Sequence, residues 1–256
     1  MTRPILLLRL EGPMQSWGTR SRWDVRESAA EPTKSGVIGL IGCALGLKRK
    51  DKTLEMLDHE VEFSVRIDRP GIMATDYHTV TGYHLTAGGQ YKHGGGTAST
   101  LATAMEHSES TIISPRDYLH DASFLVALSS GSEELLGQIA GTVRESPWPG
   151  NLQSPFWPVS LGRKSCVPSR PPFERLAEEY ENAEDAFSRE PWVPPLSPKS
   201  AARPPKKLVA WVESKEGEYE RQDALRLNQM RLYDYRRCRR IEIDTGPLKI
   251  LERRIS

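Results

Sequence analysis

The stretch Gln15-Ser-Trp-Gly-Thr-Arg-Ser-Arg-Trp23 carries residue types that hold a polynucleotide. Trp17 and Trp23 offer flat faces on which exposed bases stack, and Arg20, Arg22, Arg26 and Lys34 offer cations to phosphates. Arg20 and Arg22 lie two residues apart, so on an extended segment they project from the same side. Gly12 and Gly18 permit a bare backbone whose N–H groups approach an anion closely. The combination suits a phosphodiester chain with exposed bases better than a small metabolite. The same residues also fit a surface loop whose tryptophans pin it to the core and whose arginines are merely solvated. Residue types alone leave both readings open.

Further along, Pro32-Thr-Lys-Ser-Gly36 superficially matches a phosphate loop, but a Walker motif needs glycine immediately before the lysine. Thr33 stands there instead, and no glycine occurs between Gly18 and Gly36, so nucleotide hydrolysis has no support. A helix starting at this point would still offer Lys34, Ser35 and free N–H groups to a phosphate. Asp76-Tyr-His78 and Tyr91-Lys92-His93 contain groups that cleave RNA without metal: one activates the 2′-hydroxyl, another protonates the leaving oxygen, and a cation steadies the phosphorane. Adjacent residues in a glycine-rich loop are poorly placed for that work, and a hairpin touching RNA without chemistry is the simpler reading. His78, His84, His93 and His107 have no zinc spacing and no neighbouring cysteine, so neither a metal nor a cofactor is expected. Arg116 and Tyr118, and the cationic turn Gly162-Arg163-Lys164-Ser165, complete the chemistry-bearing set. Arg236, Arg237, Arg239 and Arg240 read as a strand edge or partner-facing patch.

Composition narrows the class. The 256 residues are 38% hydrophobic and 27% charged, ordinary values for a globular protein, and the net charge of +1 means any nucleic-acid contact must come from local patches. No run of about eighteen apolar residues occurs, and PILLLRL is short and broken by Arg9, so it reads as a strand and not a signal peptide. Cys43, Cys166 and Cys238 are scattered and odd in number, which fits a reducing cytoplasm.

The elements that must position these groups follow from hydrophobic period. Ile5 to Leu10 is an apolar run typical of a strand buried on both faces. Val37, Leu40, Ile41 and Ala44 repeat at helical spacing, with Thr33 or Ser35 able to cap. Gly36, Gly39 and Gly42 on that helix predict close packing on the sheet. Val61, Phe63, Val65 and Ile67 alternate with Glu62, Ser64, Arg66 and Asp68, predicting a half-buried strand. From Thr75 to Pro115 the apolar pattern lapses while four of the six histidines appear, which signals a functional excursion or disorder. ASFLVAL (Ala122 to Leu128) resumes a strand; Leu135, Leu136, Ile139 and Val143 mark a helix after Ser130-Gly-Ser-Glu133; Trp157 to Cys166 offers a loop or last strand. This order, β-α-β-β-α-β, predicts an α+β ferredoxin-like domain over residues 1–168 with a thumb at about 75–115. The remainder, 169–256, reads as a smaller irregular part: an acidic helical stretch from Phe173 to Phe187, a proline-rich connector at about 191–205, and late strands at Leu208 to Glu213 and Arg231 to Ile243.

LRLEGPMQSWG, PTKSGVIGLIGCALG, DYHTV, RDYLHDASFLVAL and SLGRKSC together resemble, in consistent order from about Ile5 to Pro168, the type I-E members of the fifth numbered Cas family of CRISPR-associated proteins, within the RAMP superfamily. The resemblance implies a ferredoxin-like, RRM-related domain with a β-hairpin thumb and a cytoplasmic role in antiviral defence. It implies a place at one end of Cascade, gripping the 5′ handle of crRNA, with the backbone subunit CasC and the large subunit CasA alongside, CasB and CasE elsewhere in the assembly, and target DNA met through the complex. It further implies a non-catalytic clamp, since CasE cuts the precursor in such systems; a metal-independent endoribonuclease processing repeat RNA is the alternative. Carried onto this chain, handle contacts fall on Gln15, Trp17, Gly18, Arg20, Arg22, Lys34 and Ser35, with Arg163, Lys164 and Ser165 opposite. His78, Arg116 and Tyr118 would flank the thumb base, and Tyr91, Lys92 and His93 would lie within the thumb.

Overall fold

The computed structural model describes residues 4–19, 26–48, 50–86, 88–144, 174–195, 203–226 and 232–250. The first half forms β1 (Ile5–Glu11), β2 (Met14–Gln15), α1 (Lys34–Ala44), α2 (Lys52–Glu60), β3 (Val61–Arg69), β4 (Ile72–Thr81), β5 (Tyr83–Leu85), β6 (Tyr91–His93), β7 (Gly96–Ala98), α3 (Leu101–Met105), β8 (Thr111–His120) and β9 (Ser123–Ser130). The second half adds α4 (Glu133–Arg144), β10 (Glu174–Ala177), α5 (Ala183–Arg189), β11 (Lys207–Glu213), β12 (Tyr219–Arg226) and β13 (Leu232–Asp244). The result is a mixed α/β protein built on antiparallel sheets.

Seven strands make the main sheet, in the order β10-β1-β9-β3-β11-β13-β12, each antiparallel to its neighbours. As its continuous apolar run predicts, β1 is covered on both faces. Leu6, Leu8 and Leu10 join a core with Val37 and Ile41 of α1, Leu57 of α2 and Leu136 and Ile139 of α4. Ile5 and Leu7 face the other way, onto Phe187, Trp192 and Ala210. Thr33 caps α1, accepting the N–H of Gly36 on Oγ1 at 3.2 Å. The three glycines of α1 differ in use. A Cβ on Gly42 would sit 2.3 Å from Leu54 of α2, and one on Gly36 would sit 3.0 Å from the Trp17 ring, whereas Gly39 is exposed with open space above it. The close approach is therefore to α2 and Trp17, not to the sheet.

The expectation of a half-buried β3 is overturned: Arg66 is 0% exposed and Asp68 2%. The polar face lies under a strap, residues 187–194, rich in prolines that supply carbonyls but no N–H. Arginine donors satisfy those carbonyls. Arg66 donates to the carbonyls of Phe187, Glu190 (2.9 Å) and Pro191 (3.0 Å), Arg9 also to Pro191 (3.0 Å), and Arg69 to Val193 and Pro194 (2.8 Å each). Asp68 balances the charge, accepting from Arg66 Nε at 2.6 Å and Arg9 at 2.7 Å.

Residues beyond 168 supply four of the seven strands, so the expected irregular C-terminal part is instead a regular continuation of the sheet. The late strands appear as β11 and β13. The acidic stretch from Phe173 divides: Glu174–Ala177 pairs with β1, and the helix starts at Ala183, after the Asn182 cap. The open edge of β1 needs backbone partners, and that demand outweighs local helix preference. The stretch Trp157 to Cys166 lies outside the described residues. β13 is interior, between β11 and β12, so its arginines do not mark an edge.

Between β3 and β9 the chain leaves the sheet as a long arm. β4 and β8 pair over ten residues each, from Ile72↔His120 to Thr81↔Thr111. Gly71 makes the exit: its φ is +73°, and a Cβ would lie 2.7 Å from the His120 carbonyl. The far end carries a three-stranded sheet of its own, β5-β6-β7, capped by α3. A two-stranded ribbon open on much of both faces needs no apolar alternation, which is why the sequence pattern lapses here.

Candidate nucleic-acid interface

The base of the arm gathers segments that are distant in sequence. β2 pairs with the end of β8, placing Gln15 opposite Leu119. Gly18 bridges to Ser28, the Trp17 N–H donates to Ser28 Oγ at 2.8 Å, and the Ala29 N–H donates to the Trp17 carbonyl at 2.7 Å. Arg26 then runs beside Arg116: its N–H donates to the Pro115 carbonyl at 3.1 Å, and the Asp117 N–H returns a bond to the Arg26 carbonyl at 2.9 Å. Residues 14–18, 26–29 and 115–120 thus share one surface with the start of β4.

On that surface Gly18 is exposed and the Arg26, Arg116, His78 and Tyr118 side chains are half-buried. Tyr118 Oη and His78 Nε2 share a hydrogen bond of 3.1 Å, their rings stack with centroids 6.0 Å apart, and Asp76 lies 3.6 Å from the same His78 nitrogen. Arg116 Nε reaches Ser114 Oγ at 3.4 Å. Bare backbone, two guanidinium groups and two stackable rings are the parts that phosphate and base contacts need.

Other expected contacts take structural positions. Gln15 is fully buried; its Nε2 donates to the Ala122 carbonyl at 2.7 Å and its Oε1 accepts the Trp17 Nε1–H at 3.1 Å. Trp17, 4% exposed, lies against α1, so its indole cannot receive a base in this conformation. Lys34 is 4% exposed, and its Nζ donates to Glu213 Oε1 at 3.0 Å. The Lys34 N–H donates to Asp223 at 2.9 Å, so the phosphate seat at the head of α1 holds a carboxylate of the chain itself. Asp58 of α2, in the same region, is raised to about 6 by burial, which outweighs the attraction of Lys34. Ser35 is half-buried in the first turn of α1. Arg20, Arg22, Trp23, Arg163, Lys164 and Ser165 lie outside the described residues. Arg26 was legible only as one more cation, because the motif does not mark it; its pairing with β8 depends on the folded arm.

Within the arm, Tyr91, Lys92 and His93 occupy consecutive positions of β6, so Lys92 projects from the face opposite to Tyr91 and His93. His93 is buried and stacks on His107, 4.0 Å between centroids and 3° from parallel, with Nδ1 accepting the Gly95 N–H at 3.2 Å. Burial, and then the neighbouring imidazole, lower its pKa. The three groups do not converge on one reacting atom. No cluster of three or more metal-ligating side chains occurs among the described residues, and no described helix is long and apolar enough to cross a membrane.

The molecule is an antiparallel α/β body with a long arm, and guanidinium groups and stackable rings gather at the arm's root. Residues 5–244 match the family described as CRISPR-associated protein (Cas_Cas5), and the chain belongs to that family. It is 34% identical over 177 residues to the CRISPR system Cascade subunit CasD of Escherichia coli (strain K12), covering 67% of this chain and 70% of that protein. Among solved structures it is similar to a chain of a CRISPR RNA-guided surveillance complex, at a TM-score of 0.64 and 27% identity over 95% of this chain and 92% of the other. A second, described as the crystal structure of a Cas protein, superimposes with a TM-score of 0.56 and 27% identity over 96% and 98% of the two chains.

Proposed function

We propose that this protein is the non-catalytic subunit of a type I-E Cascade complex that grips the 5′ handle of crRNA and caps that end of the assembly. The observation carrying this reading is the convergence of residues 14–18 and 26–29 with Arg116, Tyr118 and His78 at the root of the arm. We read the frame as a ferredoxin-like RAMP domain, supported by the run β1-α1-α2-β3-arm-β9-α4-β10 and the spatial order β10-β1-β9-β3. The arm acts as the thumb. By motif position Arg20, Arg22, Arg163, Lys164 and Ser165 add handle contacts, CasC and CasA pack alongside, CasB and CasE belong to the same assembly, and target DNA is met only through the guide. Several subunits holding one RNA multiply one another's grip, so modest affinity for free RNA suffices.

The test is copurification of crRNA with the complex from the native host, comparing wild type with Arg26→Ala/Arg116→Ala and with Arg20→Ala/Arg22→Ala. Each pair should weaken retention and lower the salt slope of binding by about one to two units. An unchanged slope for both pairs would overturn the reading. A second reading, metal-independent cleavage of repeat RNA, draws on the Tyr118–His78 hydrogen bond as an acid–base pair. Handle-length products in EDTA that vanish in His78→Ala would favour it over the clamp.

A further inference from the structure

The segment between Arg26 and Gly36 is fastened at its far end by residues nearly two hundred positions later. Arg221 of β12 forms an ion pair with Glu31 and holds its guanidinium carbon 4.2 Å from the centre of the Trp211 ring. Asp223, two residues on, accepts the Lys34 N–H at 2.9 Å and is clamped in turn by Arg236 of β13, at 2.6 Å from Nε and 3.0 Å from the second terminal nitrogen. Glu213, ending β11, takes the Lys34 ammonium on one oxygen at 3.0 Å and the Phe63 N–H on the other at 2.9 Å. At its near end the same segment is bonded to β8 through Arg26. It is a tie between the arm and the last strands of the sheet.

We infer that the β12–β13 hairpin is a positioning element for the RNA-contacting surface, with Arg221, Asp223 and Arg236 as positioning residues that set the path of residues 26–36. Paired charges that are largely withdrawn from water stabilise a fold little beyond what apolar side chains of equal size would give. What they supply here is direction: Arg221 reaches Glu31, Asp223 and Glu213 reach Lys34, and Arg236 holds Asp223 in place. Fixing the segment before RNA arrives removes the ordering cost from the binding step, which is the general advantage of a preorganised site. The Asp223 carboxylate also closes the head of α1 to phosphate, so the polynucleotide is directed to Arg26 and Arg116 instead. This inference rests on the handle reading above.

The experiment uses the full chain, crRNA recovered from the assembled complex, and oligouridine of equal length as the non-specific probe. Amide hydrogen exchange at Ala29, Lys34 and Gly36, all hydrogen-bonded here, is followed without RNA. Arg221→Ala should speed exchange at these amides and weaken crRNA binding about fivefold, the worth of one partly exposed pair, while oligouridine binding stays unchanged. The exchanged pair Glu31→Arg/Arg221→Glu should recover both. If Arg221→Ala does not fold, Glu31→Gln gives the same measurement from the segment's side. Faster exchange with unaltered crRNA affinity, or an affinity loss that the exchanged pair fails to recover, overturns the inference alone. Wild-type protein that holds crRNA no tighter than oligouridine overturns the handle reading and this inference with it.

Discussion

Asparagine in place of Asp58 removes a carboxylate that is 2% exposed and whose Oδ1 has no hydrogen-bond partner among the described residues. Burial raises this group from an ordinary 3.8 to about 6; Lys34 and the Leu225 N–H pull it back only in part, and Glu213 adds to the rise. The folded state therefore holds the proton more tightly than the unfolded chain. Stability that is full below about pH 4 is lost as pH rises through about 6, at about 1.4 kcal/mol per pH unit. Over a shift of about two units the loss is roughly 3 kcal/mol by pH 8. Asp58→Asn keeps the shape and cannot ionise. Urea unfolding of the two proteins from pH 4 to pH 8 should give nearly equal stabilities at the acid end, a difference that grows in favour of the variant up to about pH 6, and a plateau above it. A difference that stays flat across the range, or a variant less stable at pH 8, would refute the assignment of the burden to the buried charge.

Arg66→Ala strips donors from the Phe187, Glu190 and Pro191 carbonyls and should cost about 3–5 kcal/mol in urea unfolding; a loss below about 1 kcal/mol would show that the strap is held otherwise. Gln15→Ala leaves the Ala122 carbonyl and the Trp17 indole unpaired, and about 1–3 kcal/mol should be lost in the same assay. Gly39→Ala and Gly217→Ala should move apart in thermal melts. The first gains about 1 kcal/mol of helix propensity in open space, and the second drives a Cβ to 2.4 Å from the Cys238 backbone and lowers the melting point. Deleting Leu85 to Ser108 removes no residue of either core cluster, so the unfolding midpoint should hold while assembly with partner subunits falls.

The elements facing a single core were open to reading from the chain. The run ILLLRL, the Thr33 cap and the spacing of Val37 to Ala44 each state one local demand, and the fold meets it. Polar residues were harder, because their roles depend on partners far away in sequence. Arg66 alternates like a solvent-facing residue until the strap covers it, and Lys34 sits in a phosphate-loop look-alike until Asp223 and Glu213 claim it. Trp17 met the structural one of its two open readings in the described fold, and Gln15 followed it inward. His78, Arg116 and Tyr118 do meet at the arm's root. Nothing local in the stretch from Phe173 announced that its first residues would serve the bare edge of β1.

The sheet closes on both flanks with strands made late. β10 covers the outer edge of β1 and β11 that of β3. While the polypeptide is being made on the ribosome, the first 140 or so residues emerge with two unpaired hydrogen-bonding margins, the state in which strands recruit foreign chains. A nascent product cut short before Lys207 would keep the β3 margin raw. Expression of early-terminated forms should therefore yield inclusion bodies, and chaperone demand should peak late in translation.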